Sequence, residues 1–269
     1  MLIFLAALAA ALTAFFIWQD NDIVVTHIEY KSKKVPFEFG GLKILHVSDL
    51  HNKWFGKDQE RLLRAAAEYR PDIIVITGDI IDSRRKGSGA ALAFVSSAVG
   101  IAPVCYVSGN HEWSCGQYGV LSERLKRAGV RILDNNHITL TRGNGRLELL
   151  GVKDVKFSGE ASFARTLKKL AGGTKGFSIL LSHHPEMITQ YKKCGFDLVF
   201  AGHAHGGQIR LPFIGGLFAP GQGVFPKYTS GLYKEGNTSM VVSRGLGNSM
   251  FPLRVFNRPN LVVVTLRAA

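Results

Sequence analysis

The chain opens on an uncharged stretch, Met1 to Trp18, in which apolar residues follow one another with almost no polar interruption. Eighteen residues at 1.5 Å rise span roughly 27 Å, close to the hydrocarbon thickness of a bilayer. Trp18 stands where amphipathic aromatics collect at membrane interfaces. The pattern predicts a transmembrane anchor over residues 1–18 and a location at the cell membrane. A cleaved signal sequence is a competing reading. Against it, no basic segment precedes the run, and cleavage in the alanines would leave Phe15-Phe16-Ile17-Trp18 on the mature end. A buried core helix is a third reading, without the expected polar face. Lys31, Lys33, Lys34 and Lys43 follow the span and favour a cytoplasmic side for what comes after, an asymmetry that leaves the sidedness open.

Residues 19–42 read as a connector with a short edge strand around Ile23–Glu29. From Lys43 a regular alternation begins. Strands are predicted at 43–48, 72–77 and 103–108, with helices at 58–69, 90–99 and 119–128 between and after them. The 72–77 run is too apolar for a half-exposed strand and belongs in a sheet covered on both faces. The second half is richer in strands: a hairpin at 138–141 and 146–150 about Asn144-Gly145, then runs at 177–182, 198–200, 208–211, 240–243 and 261–266. Helices are expected at 163–170 and 185–191. Two sheets with helices outside them account for the mixture, an α/β (α+β) domain over residues 43–266.

Composition narrows this picture only a little. The 269 residues are 46% hydrophobic, enough for one large core, and no repeat or long linker divides them. Cys105, Cys115 and Cys194 are odd in number and form no CxxC pair, which argues against a disulfide framework and a zinc–thiolate site. The net charge of +13 fits a nucleic-acid binder, a membrane-surface protein or an enzyme for anionic substrates. No RNP-type aromatic pattern, zinc-finger spacing or basic helix is present, so no nucleic acid is expected as a specific partner.

The candidate chemistry lies where the apolar runs end. After the first strand comes Ser48-Asp49-Leu50-His51, after the second Gly78-Asp79, and after the third Gly109-Asn110-His111-Glu112. The 177–182 run leads into His183-His184-Pro185, and the 198–200 run into Gly202-His203-Ala204-His205. Sites in open α/β sheets form beyond the carboxyl ends of strands, so five such exits can converge on one cleft. Imidazole, carboxylate and amide donors without thiolate suit manganese, iron or zinc. Each piece alone also reads as a turn or a helix cap. His46, inside a strand, reads as a core histidine, and His27 and His137 as surface residues.

In this order and spacing, DLH at 49–51, GD at 78–79, GNHE at 109–112, His183 before x-Pro and GHAH at 202–205 resemble the calcineurin-like metallophosphoesterase superfamily. The likeness runs from about Lys43 to Leu266. GHAHGGQIRLPFIG at 202–215, PKYTSGLY at 226–233 and SRGLGNSMFPLRVFNRPNL at 243–261 resemble a membrane-associated bacterial branch, the YkuE/YaeI-like phosphoesterases. The resemblance implies a two-sheet β-sandwich flanked by helices, with the site at the sheets' C-terminal edge. It implies two divalent metal ions: Asp49, His51 and His205 on one, Asn110, His183 and His203 on the other, and Asp79 bridging them. A hydroxide shared by the metals would attack phosphorus in line, His111 would face the leaving group, and Glu112 would orient His111. The family pattern selects His183 over His184.

Beyond the histidine pair, Ile209 to Tyr233 holds Leu211, Phe213, Ile214, Leu217, Phe218, Val224 and Phe225. With the anchor and the basic charge, this loop points to a phosphorylated small-molecule or lipid-linked substrate, cleaved as a diester or a diphosphate. Arg210 and Arg244 are candidate substrate contacts, with Lys227 and Arg254 nearby. A membrane-anchored scaffold without catalysis is the alternative, and the complete set of ligand types argues against it. Oligomeric state is not legible.

Overall fold

The computed structural model describes every residue except Lys86. The apolar opening forms α1 (Leu2–Asn21), exposed along most of its length. It runs past Trp18, and Gln19 in its last turn is buried. The stretch expected as a connector contains a long strand, β1 (Val24–Ser32), which lies at the edge of the first sheet.

β2 (Lys43–Val47), β3 (Ile73–Thr77), β4 (Val104–Val107) and the short β5 (Arg131–Ile132) run parallel to one another. Their connections carry α2 (Glu60–Glu68), α3 (Gly89–Ala98), α4 (Asn110–Ser114) and α5 (Tyr118–Arg127). A hairpin of β6 (Asn136–Arg142) and β7 (Gly145–Gly151) starts the second sheet. Its turn is Gly143-Asn144, one residue earlier than the Asn-Gly signal indicates, because Gly143 takes the left-handed conformation (φ 54°) at the first central position.

After α6 (Glu160–Gly172), β8 (Phe177–Leu181), α7 (Ile188–Cys194) and β9 (Leu198–Ala201) extend that sheet in parallel. Beyond β9 the strand expected at 208–211 is confined to β10 (Arg210–Leu211), which pairs with β11 (Gly215–Gly216), and a second tiny ribbon joins β12 (Phe218–Ala219) to β13 (Gly223–Val224). β14 (Gly231–Glu235) and β15 (Thr238–Val242) complete the second sheet, in the order β14-β15-β9-β8-β7-β6. β16 (Asn260–Ala268) returns to the first, giving β1-β16-β2-β3-β4-β5.

Alternation along the strands divides the core into three layers. Ile44, Val75, Cys105, Val107, Leu149, Ile179, Phe200 and Val241 fill the space between the sheets. Leu45, Val47, Ile74, Ile76 and Tyr106 face outward onto Leu62, Phe94, Val95, Leu121 and Leu125 of the first helix layer. Leu150, Leu180, Val199 and Met240 pack on Phe163, Leu167, Ile188 and Tyr191 of the second. Strands covered on both faces are apolar throughout, as 73–77 anticipates. The result is a β-sandwich flanked by helices, and β2, β3, β4, β8 and β9 all end at one edge.

Candidate metal centre

The donor groups leave their strands at that edge. Asp49 and His51 follow β2, Asp79 follows β3, Asn110 opens α4 after β4, His183 follows β8, and His203 and His205 follow β9. Asp49, His51, Asp79, His203 and His205 all have positive φ, between 46° and 63°. Non-glycine residues visit this region rarely, and held backbone strain of this kind concentrates at functional sites. The neighbouring glycines are sterically required. A Cβ on Gly109 would lie 2.7 Å from the Asp79 backbone nitrogen, and one on Gly202 would lie 2.5 Å from Asp49 Oδ2.

Three atoms meet on one side of the cleft. His51 Nε2 lies 3.1 Å from His205 Nε2, and Asp49 Oδ1 is 3.9 Å and 3.5 Å from the two. On the other side His183 Nε2 lies 3.2 Å from both Asn110 Oδ1 and His203 Nδ1. Asp79 Oδ2 stands between, 3.7 Å from His51 Nε2 and 3.1 Å from His183 Nε2. Asp49–His51–His205 and Asp79–His183–His203 each bring their ligand atoms within 4.8 Å of one another.

Burial pushes His51, His203 and His205 below the usual imidazole pKa, which keeps them in the neutral form that ligates metal. His183 is equally buried, yet the Asp79 carboxylate beside it holds its pKa well above the usual value. Packed imidazole nitrogens this close to each other and to carboxylates fit cations better than they fit one another.

A metallophosphoesterase is what this arrangement resembles, and the comparisons agree. Residues 42–207 match the calcineurin-like phosphoesterase family model. The chain belongs to that family. As a calcineurin-like phosphoesterase it is a metal-dependent phosphoric ester hydrolase, with His/Asp clusters suited to two metals. It is 33% identical over 257 residues to the uncharacterised metallophosphoesterase YkuE of Bacillus subtilis, covering 93% of this chain and 87% of that one. It is 28% identical over 242 residues to the phosphodiesterase YaeI of Escherichia coli, covering 88% and 84%. The fold is similar to that of TT1561 from Thermus thermophilus (TM-score 0.50, 18% identity, 77% of this chain and 90% of that one).

The two members of the His183-His184 pair point to different partners. His184 Nδ1 lies 2.7 Å from Glu186 Oε1 and its Nε2 lies 2.8 Å from Asp154 Oδ2. Burial opposes its charge, but those two carboxylates raise it to about 9. His46 is buried in the core with Nε2 2.8 Å from Thr77 Oγ1, and burial lowers its pKa to about 3. His27 and His137 are exposed.

His111 stands at the rim, with Nε2 4.0 Å from Asp79 Oδ2. Its Nδ1 accepts the backbone N–H of Ser83 at 3.1 Å and lies 3.4 Å from Asp82 Oδ1. Glu112 does not orient it, contrary to the expectation. Consecutive residues of a helix do not face each other, so Glu112 turns inward from α4. There its carboxylate accepts from the backbone N–H groups of Gly109, Asp79, Ile80 and Ile81 at 2.7–3.3 Å. Burial and the Asp79 charge raise its pKa to about 8, against those donors. What Glu112 positions is the turn that carries Asp79.

Arg210 and Arg244 also take places other than those expected. A cavity of about 230 Å³ lies over the donors, lined by Asp79, Arg84, Asn110, His111, His203, His205, Pro220, Ser249 and Met250. Neither expected arginine lines it. Arg210 donates to Gly206 O at 2.8 Å and Thr229 Oγ1 at 3.1 Å, bracing the loop it follows. Arg244 is half-buried, and burial with the nearby charges of Arg210 and Arg258 lowers its pKa to about 10. Lys227 pairs with Glu235 at 2.5 Å, and Arg254 is buried among backbone carbonyls. The arginine in the cleft is Arg84, whose signal is the basic pair Arg84-Arg85 just beyond Gly78-Asp79.

Proposed function

We propose that this chain is a two-metal phosphodiesterase or pyrophosphatase acting at a membrane. The observation that carries the reading is the Asp79 carboxylate, within 3.1–3.7 Å of an imidazole nitrogen from each donor set. In this reading Asp49, His51 and His205 would hold one cation, Asn110, His183 and His203 would hold the other, and Asp79 would serve both. Manganese, iron and zinc all suit these donors. Two bound cations supply positive charge for the phosphoryl oxygens and make the attacking water acidic near neutral pH.

The chain's own groups do the rest. The Ser83 N–H donates to Nδ1 of His111, so the neutral ring carries its proton on Nε2, toward the cleft. From there Nε2–H donates a hydrogen bond to a departing oxygen as negative charge builds on it. Arg84 adds a fixed cation at the cleft wall, held by two hydrogen bonds to Asp82 at 3.0 and 2.9 Å.

α1 serves as a single-pass anchor in this reading. Leu211, Phe213, Ile214, Phe225, Met250 and Phe251 are exposed on the segments that flank the cleft, and Met250 and Pro220 line it. An apolar wall beside an anchored metal centre favours an amphipathic or lipid-linked phosphorylated substrate. A similar chain, 27% identical over 265 residues, is the transmembrane protein with metallophosphoesterase domain of Danio rerio; this chain covers 57% of its length.

The test uses the full chain in detergent and in vesicles. Metal content is measured beside hydrolysis of p-nitrophenyl phosphate, bis-p-nitrophenyl phosphate and ADP-ribose. About two metals per chain, turnover lost in Asp79→Asn, and preference for the last two compounds support the reading. Preference for the monoester would replace it with a phosphomonoesterase. Equal rates on vesicle-borne and soluble esters would remove the membrane substrate.

A further inference from the structure

A second and larger cavity, about 520 Å³, opens on the His111 side of the cleft. Arg84, Arg85 and Arg124 line it, with Asp82, Ser83, Cys115, Gln117 and Val120 among the remaining wall residues. Arg84 also lines the metal cleft, so the two cavities share one arginine in their walls. Ser83 belongs to the cavity wall and donates to His111 Nδ1, which places the ring at the boundary between the two.

The arginines are organised rather than merely exposed. Buried Asp82 takes Arg84 in a two-pronged contact and lies 3.5 Å from Arg85 Nε, while Arg85 also donates to His51 O at 3.3 Å. Burial would raise the Asp82 pKa, but the Arg84 hydrogen bonds and charge bring it down to about 2, so Asp82 stays ionised. Arg84 and Arg85 hold the one carboxylate and Arg124 lines the wall beside them, so three cations against one anion leave the cavity positive. Planar guanidinium forks suit phosphate oxygens, and the volume accommodates a group of nucleotide size.

We propose that this basic cavity is the leaving-group subsite, and that the substrate's departing portion is itself a phosphate monoester. This deepens the proposed function, on which it rests, by selecting diphosphate linkages over simple diesters. In the reaction, water oxygen bonds to the phosphorus above Asp79 and the bridging P–O bond breaks. The bonding pair leaves on the bridging oxygen, which takes up the proton that the attacking water gives up, while His111 Nε2–H donates a hydrogen bond to that oxygen as charge builds on it. One water is consumed and two phosphate monoesters result. The departing one rests against Arg84, Arg85 and Arg124.

The test compares ADP-ribose with bis-p-nitrophenyl phosphate as substrates of the full chain, with Arg124→Ala, Arg85→Ala and Lys168→Ala on the far helix layer. Adenosine 5′-monophosphate binding to chelator-treated protein is measured alongside. The expected result is a roughly tenfold fall in the kcat/KM ratio of ADP-ribose to bis-p-nitrophenyl phosphate, carried by KM, in both arginine variants. Nucleotide binding should weaken by a similar factor, and Lys168→Ala should change neither. If wild type cleaves both compounds with metal and the arginine variants keep the ratio and the nucleotide affinity, the subsite is wrong and the metal centre stands. If wild type cleaves neither, the diphosphatase reading fails, and the subsite proposal falls with it.

Discussion

The backbone N–H of Asn257 donates to the side-chain oxygen of Gln19 at 3.2 Å, joining the last turn of α1 to the loop behind the metal centre. Asn257 then gives its side-chain amide to His205 O and Gln208 O at 2.7 and 2.8 Å. The apolar helix and His205, a proposed metal ligand, are thus linked through one buried residue. Asp20 reinforces the joint by accepting from the Arg254 N–H at 2.9 Å, and Phe15 packs edge-on against Phe256. Asn257 supports the His205 loop without itself being one of the metal-donor side chains. Asn257→Ala is expected to weaken metal affinity about 10–100-fold, the usual scale for such supports, while the folded content by circular dichroism stays unchanged. A metal titration checks this, and unchanged affinity would make the link purely structural.

His111→Ala should leave metal content intact and lower kcat by about 10²–10⁴-fold on esters with poor leaving groups. The loss should be smaller with p-nitrophenolate, which departs without a proton. A uniform loss across leaving groups would argue that Nε2–H does not act on the leaving oxygen.

Glu112→Ala strands backbone N–H groups of the Asp79 turn in the interior. Each unsatisfied buried donor costs about 1–3 kcal/mol, so a loss of about 3 kcal/mol is a low expectation. For a domain of this size that lowers Tm by about 6–12 °C. Differential scanning calorimetry reads it, and a shift under about 2 °C would mean that water satisfies the turn.

Lys53 predicts a pH dependence of stability. Burial, aided by the charges of Arg254, Arg85 and Arg61, lowers its pKa to about 7. Between about 7 and the ordinary lysine value near 10.4, the unfolded chain binds a proton that the folded chain does not. Stability therefore rises with pH through that window. Lys53→Met should flatten the rise, as measured by denaturant midpoints at pH 7, 8.5 and 10. A slope unchanged by the substitution would trace it to another group.

The site is legible because each donor sits just past an apolar run, so its neighbours in sequence announce both the strand and its exit. Adjacency misleads where it is read as contact. Glu112 follows His111 on a helix and therefore points away from it, and Arg210 lies just past His205 but bonds Gly206 and Thr229 instead. Arg84 is harder to read, because its one signal, the basic pair Arg84-Arg85 beyond Gly78-Asp79, looks the same whether it lines a cleft or meets solvent. β5, with two residues, and the half-exposed edge strand β14 carry no apolar run to find. Sheet order is beyond reach as well, since the placement of β16 depends on partners more than two hundred residues away.

That placement has a consequence for how the protein is made. β16 lies between β1 and β2, parallel to one and antiparallel to the other. When residues up to 259 have left the ribosome, the first sheet still has a gap through its middle, and β1 has no strand beside it. Until Asn260–Ala268 emerges, Val262, Val264 and Leu266 are missing from the layer between the sheets. The nascent chain must wait with that seam open, and the edge of β2 is then where a chaperone or another strand would engage it.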